Sequence, residues 1–415
     1  MGGMSEVAEE VRQWLDETWD AERPLLEWRQ ILADSGWGCP TWPTEWYGRG
    51  LSGGQAVEVA RVFADVGAVG PATGSGMTLA APTILAHGSD DLKRTLLRRI
   101  ITGEDKWCQL FSEPGNGSDL AGLSTRADRD GDEWVVNGQK VWTTGARHAA
   151  YGMLLARTDW DVPKHRGISY FALPMRQPGV EVRPLRQMNE HASFNEVFMS
   201  DARVPAANMI GDPGGGWAAA MTTLAHERGL ATGALFAVGG PEAKGRTARE
   251  AAEEAAEYAK TYIWYPQRAG RADLVPSRAR ETGASADPIV RQRAAQLVAM
   301  ERAARWNVER SRAARAQGRP PGAEGSLAKL CGSNIARAAA MVHGQITGAA
   351  AMLTGPDSPA GGVIAEILVS VPAGSIAGGT DEIQHNIIGE RVLGLPKEPS
   401  VDTDVPFREV RRNQR

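Results

Sequence analysis

The run Ser112-Glu113-Pro114-Gly115-Asn116-Gly117-Ser118-Asp119 couples small residues to side-chain and backbone donors on a turn that enters a strand. Glycines there let the backbone approach a flat or anionic ligand closely. An ordinary Gly/Ser/Pro turn has the same composition, so the run alone identifies no ligand. Trp142-Thr143-Thr144-Gly145 is a second such element. An indole followed by hydroxyl residues can wall an aromatic ring system and bond its polar edge. A half-buried strand end with a core Trp reads the same way. Farther on, Leu224-Ala225-His226-Glu227-Arg228-Gly229 sets a carboxylate beside a guanidinium on a helix. A carboxylate can serve as a general base; read from the residues alone, an adjacent Glu-Arg on a helix is a solvated surface pair. His191 and His226 read as structural or surface histidines.

The elements that must position these residues change type along the chain. From Ser5 to about Trp107 the apolar spacing is helical, with helices over Glu6 to Trp19, Gln55 to Val69 and Asp90 to Ile101. From Gln109 to about Gly211 the period falls to two. Trp134 to Val136 runs into Asn137-Gly138, a hairpin signal, and short strands follow at Gly152 to Ala156, Ile168 to Leu173, Val180 to Val182 and Phe194 to Met199. Helical spacing returns from Gly215 to about Leu393, with bundle-length helices over Trp217 to Val238, Pro241 to Tyr262, Ile289 to Ala316 and Leu327 to Ala350. The Arg-, Gly- and Pro-rich tract Pro266 to Asp287 reads as a long loop, and the chain after Pro406 as a frayed basic tail. The expected fold is therefore α+β and mainly α: an N-terminal helical domain (1–108), a central β domain (109–212), a C-terminal helical bundle (213–397) and a tail (398–415).

Composition limits the function. At 415 residues the chain is too long for one ordinary core, and a formal charge of −4 supplies no basic excess for nucleic acid or an anionic membrane. The longest apolar runs, such as Gly362 to Val371, are too short to span a bilayer. The acidic start, Met1 to Glu10, lacks an apolar signal core, so the expectation is a cytoplasmic protein. Cys39, Cys108 and Cys331 are scattered, which fits a reducing compartment, and no Cys/His pair has zinc-site spacing.

Taken together, SEPGNGSDLAGL, NGQKVWTTGA and LLART, all between Gln109 and Thr158, resemble the middle domain of the acyl-CoA dehydrogenase family. GGTDEIQHNIIGERVLGLP, from Gly378 to Pro396, resembles the family's C-terminal signature. Gly36-Trp37, Trp42-Pro43, Phe194-Asn195-Glu196-Val197, Val204-Pro205 and Gly215-Gly216-Trp217 extend the likeness over nearly the whole chain. The resemblance implies a helical domain, a β-barrel-like domain and a four-helix bundle, with FAD between the last two and across a subunit interface. It places Gln109, Phe111, Ser112, Gly117 and Ser118 around the flavin ring and phosphates. Trp142, Thr143 and Thr144 become the opposite wall, and Thr380 and Glu382 contacts to the ADP half. Ser118 also falls where the family's acyl-CoA passes. Asn116 departs from the family's usual Ala, with little effect expected on a loop.

The reaction implied removes an α-proton and transfers a β-hydride to flavin N5, so it needs a base. Many members carry a glutamate directly before the Gly-Thr of the C-terminal signature; here that position is Gly378. A second subgroup, including isovaleryl-CoA and long-chain acyl-CoA dehydrogenases, carries it on a bundle helix immediately before an arginine. Glu227 holds that position here, with Arg228 shaping the pocket. The family's interface arginine falls somewhere among Arg268, Arg271, Arg278, Arg280 and Arg291, and the sequence does not single one out. The implied partners are an acyl-CoA, an electron-transferring flavoprotein and copies or relatives of the chain in a homo- or heterotetramer. A non-catalytic partner subunit and a flavin oxidase or monooxygenase on the same fold are the alternatives. The acyl group, whether straight, branched or sterol-derived, is not legible.

Overall fold

A computed structural model of the chain describes residues 5–229, 243–317 and 322–410. Backbone contacts divide it into two compact units, one of residues 1–185, 192–261 and 400–415, the other of 186–191 and 262–399.

The first unit opens with helices. Ser5 caps α1 (Glu6–Thr18) by accepting from the Ala8 N–H. The helix lays Val11 and Leu15 against Trp28 and Leu32 of α2 (Leu25–Ser35) and Val59 and Phe63 of α3 (Gly53–Val66). A Ser52–Gln55 capping box starts α3, and Gly67, left-handed at φ 77°, ends it three residues before the expected Val69. Helices α4 (Ala81–His87) and α5 (Asp90–Thr102) follow and pack Ile84, Leu96 and Ile100 under the sheet.

The sheet has seven strands: β1 (Trp107–Leu110), β2 (Arg126–Asp130), β3 (Glu133–Thr144), β4 (Tyr151–Arg157), β5 (Ile168–Pro174), β6 (Val180–Leu185) and β7 (Phe194–Pro205). Its order is β1-β4-β2-β3-β7-β6, with β5 on β4. The turn expected at Asn137-Gly138 is not one. Strand β3 runs straight through it, and the β2–β3 turn lies earlier, at Gly131 (φ 59°). Asn137 instead faces an irregularity in β7, exchanging bonds with Asp201 at 2.9 and 3.0 Å. Gly138 is needed because a Cβ there would meet Thr125 Oγ1 at 2.5 Å.

Helix α6 (Gly216–Gly229) then packs on α4 and β5, and the helix expected on to Val238 lies outside the described residues beyond Gly229. Helix α7 (Gly245–Ala259) returns to α2 through Glu254, which pairs with buried Arg29 at 2.6 Å; the start expected at Pro241 also lies outside the described residues. The tail, expected to fray, folds back. Phe407 is buried (1% exposed), and its N–H donates to the Val162 carbonyl at 2.9 Å.

The second unit is helical. Pro266 to Asp287 is not a loop: α8 (Tyr265–Arg268), two 3₁₀ turns and α9 (Val275–Glu281) occupy it. Prolines at the first turns of α8 and α9 start helices rather than break them. Helices α10 (Pro288–Ala316) and α11 (Glu324–Thr347) pack Leu297 against Val342 and Ala339, and α12 (Val363–Ser370), α13 (Pro372–Ile376) and α14 (Asp381–Arg391) complete the unit. By length and composition the run 359–391 is apolar enough to cross a membrane. It is not one helix, however. Ala360 and Gly361 are left-handed, Ala377 is extended, and Gly378 and Gly379 are left-handed again. The continuous part, Val363 to Ile376, falls short of the ~20 residues a spanning helix needs.

Candidate active site

Strand β1 ends in Gln109 and Leu110, with Phe111 and Ser112 just beyond it, and the Val141 N–H donates to the Ser112 carbonyl at 2.9 Å, which ties this end to the end of β3. Strand β3 carries a bulge here: Lys140 pairs with Val197 and Thr143 with Asn195, so two residues stand opposite one. The bulge turns Trp142 outward at φ 63°, leaving its indole 57% exposed and edge-on to Phe194 at 5.7 Å. Thr144 shares the partly open face. Thr143 does not: its side chain is buried, its Oγ1 has no hydrogen-bond partner among the described residues, and its carbonyl accepts from Asn195 Nδ2 at 2.9 Å. Phe111 also turns inward, against Tyr170, while Gln109 and Ser112 are partly exposed.

Gly117 and Ser118 stand exposed on the loop after Glu113. A Cβ on Gly117 would meet nothing within 4 Å among the described residues, so the backbone there is open to a ligand. The loop is closed from inside by Glu113, which accepts from the Ser124 and Thr125 N–H groups at 2.7 and 2.8 Å. Lys140, fully buried, donates to Glu113 at 2.9 Å and to the Phe111 carbonyl at 3.0 Å. Burial pushes the Glu113 carboxyl up, but the Lys140 charge and the two N–H donors outweigh it and hold it below the ordinary carboxylate range. Burial lowers Lys140 in turn, against the pull of Glu113. Sequence reasoning missed this pair, because each member sits inside a run read for its neighbours; the signal was a lysine at an inward position of a strand.

Glu227 is on α6, in the same unit, and Gln109 Nε2 donates to its Oε2 at 3.3 Å. A buried hydroxyl cluster fixes the helix: Thr223 Oγ1 lies 2.8 Å from Thr83 Oγ1 and 3.0 Å from Tyr170 OH, and His87 Nε2 lies 2.8 Å from Thr222 Oγ1. Arg228 is the next residue along. An exposed indole, hydroxyls at Ser112, Ser118 and Thr144, an amide at Gln109 and an open glycine backbone fit a flat ring system with a polar edge and a phosphate tail.

In the second unit, Thr380 caps α14 and accepts from the Ile383 N–H at 3.2 Å, with Glu382 exposed in the first turn. Gln384 Nε2 donates to the Gly378 and Gly379 carbonyls at 3.2 and 3.3 Å. Asp381, missed in the sequence, is buried between Lys329 and Arg337, each at 2.9 Å. Gly378 is left-handed at φ 69° with open space where a Cβ would stand. Of the five candidate arginines, Arg271 pairs with Asp273 at 2.8 Å and Arg278 donates to Thr347 at 3.0 Å. Arg280 donates to the Pro276 carbonyl, and Arg268 lies over the Tyr265 ring.

A helical N-terminal segment, a curled sheet and a helical C-terminal unit are the architecture of a flavin-dependent dehydrogenase of acyl thioesters. Family comparison agrees: the acyl-CoA dehydrogenase N-terminal domain matches residues 4–104, the middle domain 108–202 and the C-terminal domain 272–393. The chain belongs to the acyl-CoA dehydrogenase family, and it is an FAD-dependent enzyme that dehydrogenates an acyl-CoA. It is 34% identical to the acyl-CoA dehydrogenase IpdE1 of Mycobacterium tuberculosis, over 96% of this chain and 99% of that one. It is 36% identical to FadE34 of the same organism, over 89% of this chain and 46% of that one. Among solved structures, the Tcur3481-Tcur3483 steroid ACAD matches at TM-score 0.64 and 26% identity, over 95% of this chain and 98% of that one. The ChsE4-ChsE5 complex of Mycobacterium tuberculosis matches at TM-score 0.62 and 28% identity, over 95% and 97%.

Proposed function

We propose that Glu227 is the base of this dehydrogenase, in the manner of the subgroup that carries its glutamate on a helix. The observation that supports it is the approach of its carboxylate to Gln109, the residue taken to line the flavin, at 3.3 Å. Gly378, where other members hold the base, has no side chain to offer. FAD supplies the hydride acceptor, at its N5. The Glu227 carboxylate takes the α-proton; the electrons of that C–H bond become the new α,β double bond as the β-hydrogen leaves with its own pair, and the product is the trans-2-enoyl-CoA. Gln109 holds the carboxylate in place, Trp142 and Thr144 wall the ring, and Gly117 and Ser118 line the phosphates and the acyl-CoA. Arg228 and Gly378 are assigned to the substrate, and Thr380 and Glu382 to the ADP half, by their positions in the family's signatures.

The acyl group is read as branched or sterol-derived, supported by the helix-borne base and by the likeness to the Tcur3481-Tcur3483 steroid ACAD. The electron acceptor is an electron-transferring flavoprotein, and the setting is cytoplasmic. The assembly is a tetramer; the likeness to the two-chain Tcur3481-Tcur3483 and ChsE4-ChsE5 assemblies favours a heteromeric one. Glu227→Gln tests the central claim: the purified variant keeps its FAD yet loses anaerobic bleaching by acyl-CoA, and full turnover in that variant overturns the assignment. A screen of straight, branched and sterol-derived acyl-CoAs with an artificial acceptor tests the substrate class.

A further inference from the structure

Residues 400–410 form a strap across the loop 158–167. Pro406 bridges to Pro163, and the Phe407 and Arg408 N–H groups donate to the Val162 and Trp160 carbonyls at 2.9 and 3.0 Å. The Phe407 ring lies against the Arg157 guanidinium at 3.3 Å and the Trp160 ring at 5.5 Å. Arg408 pairs with Asp161. Two cations then connect the strap to the glycine loop. Buried Arg157 donates to the Ala121 carbonyl at 2.7 Å, to Leu123 at 3.2 Å and to Lys164 at 3.0 Å. Lys164 Nζ bonds Asp402 of the strap at 2.8 Å and Asp119 of the glycine loop at 3.3 Å. Asp402 thus holds Lys164, Phe407 covers Arg157, and both cations hold residues 119–123, which follow Gly117 and Ser118.

We infer that the C-terminal strap is a positioning element for the cofactor loop, with Asp402, Lys164 and Phe407 acting through Asp119 and Arg157 rather than on the reactants. The inference rests on the reading that Gly117 and Ser118 face FAD and acyl-CoA. Lys164 is shielded and doubly paired, and its ammonium is held above its ordinary range by Asp402 and Asp119 against the effect of burial. An ion pair of this partly exposed kind contributes about 0.2–1 kcal/mol. Its loss therefore reads as an effect of up to about 5-fold on ligand affinity. Removal of the whole strap, with the Phe407 cover, exceeds that.

The test uses the full chain, its truncation after Pro399, and the variants Asp402→Asn, Phe407→Leu, Lys164→Met and Lys164→Arg. Amide hydrogen exchange over residues 116–123 and the affinity of the apoprotein for FAD are measured with kcat and KM. The proposal expects faster exchange in that loop, FAD affinity reduced by up to about 5-fold in the point variants and more in the truncation, a raised KM and an unchanged kcat. Lys164→Arg recovers part of the loss. Unchanged exchange or unchanged FAD affinity overturns it; should the truncation fail to fold, the point variants decide. Gly117→Leu separates the two readings, since its side chain enters open space. Weakened FAD binding in Gly117→Leu with normal strap variants overturns the strap alone. Normal FAD binding in Gly117→Leu overturns the loop reading beneath it, and the strap proposal with it.

Discussion

Gln109 Nε2 and Glu227 Oε2 stand 3.3 Å apart, so the end of the first strand and the last turn of α6 meet through one amide and one carboxylate. A hydrogen bond to a charged group contributes about 1.5–3 kcal/mol. Gln109→Leu is therefore expected to lower kcat about 10- to 100-fold. Stopped-flow reduction of the flavin checks it; a normal rate would show that the amide does not hold the base.

Glu227→Gln removes the carboxylate proposed as the proton acceptor while keeping shape and hydrogen-bonding capacity. General-base catalysis contributes about 10²–10⁴-fold, and the loss in the reductive half-reaction should fall in that range. FAD content, read from the visible spectrum, stays at the parent level.

Trp142 contributes little to the fold, because its indole is 57% exposed. Trp142→Ala should leave the melting temperature within a few degrees and weaken FAD binding. An aromatic contact adds about 0.5–1.5 kcal/mol beyond the area it buries, or about a 2- to 10-fold rise in Kd. Titration of apoprotein with FAD separates the two effects. A large fall in melting temperature with normal FAD affinity would make Trp142 a packing residue.

The Glu113–Lys140 pair is buried, and removing one partner strands the other. Lys140→Met and Glu113→Gln are each expected to cost about 3–5 kcal/mol, seen in denaturant or thermal unfolding. The pH dependence has a definite sign. The folded carboxyl of Glu113 lies below its unfolded value. Its contribution is therefore complete above the ordinary carboxylate value, about 4.3, and is lost as pH falls through the lower folded value. Glu113→Gln should flatten the acid limb of the stability curve. Lys140, lowered by burial, makes stability rise with pH on the alkaline side, between its folded value and about 10.4.

Much of the fold was legible because helix and strand periods, caps and glycine stops are local. The three helices expected before Trp107 and the strands from Gly152 to Met199 have counterparts within a few residues. Asn137-Gly138 misled because its turn chemistry was overruled by pairing with Asp201, 64 residues away. Pro266 to Asp287 misled because proline starts short helices as readily as it ends long ones. At the site, Trp142 and Gly117 are exposed, while Phe111 and Thr143 turn inward, and that inward turn was not legible. That turn depends on which residues of β7 lie opposite. The docking of Phe407 was hidden in the same way, in a tail whose own composition is polar.

The bulge at Val141–Trp142 has a consequence for the parity of β3. A regular strand that buries Lys140 would expose Val141 and bury Trp142. The extra residue shifts the phase, so Lys140 and Val141 both face inward and Trp142 faces out. One strand thereby serves two clients of opposite polarity on consecutive turns of its pleat: a salt link inside and an aromatic wall outside. Straightening the bulge with every residue kept would exchange the two, turning Thr143 outward and driving the indole toward the core, whereas deleting Val141 would leave both facings as they are.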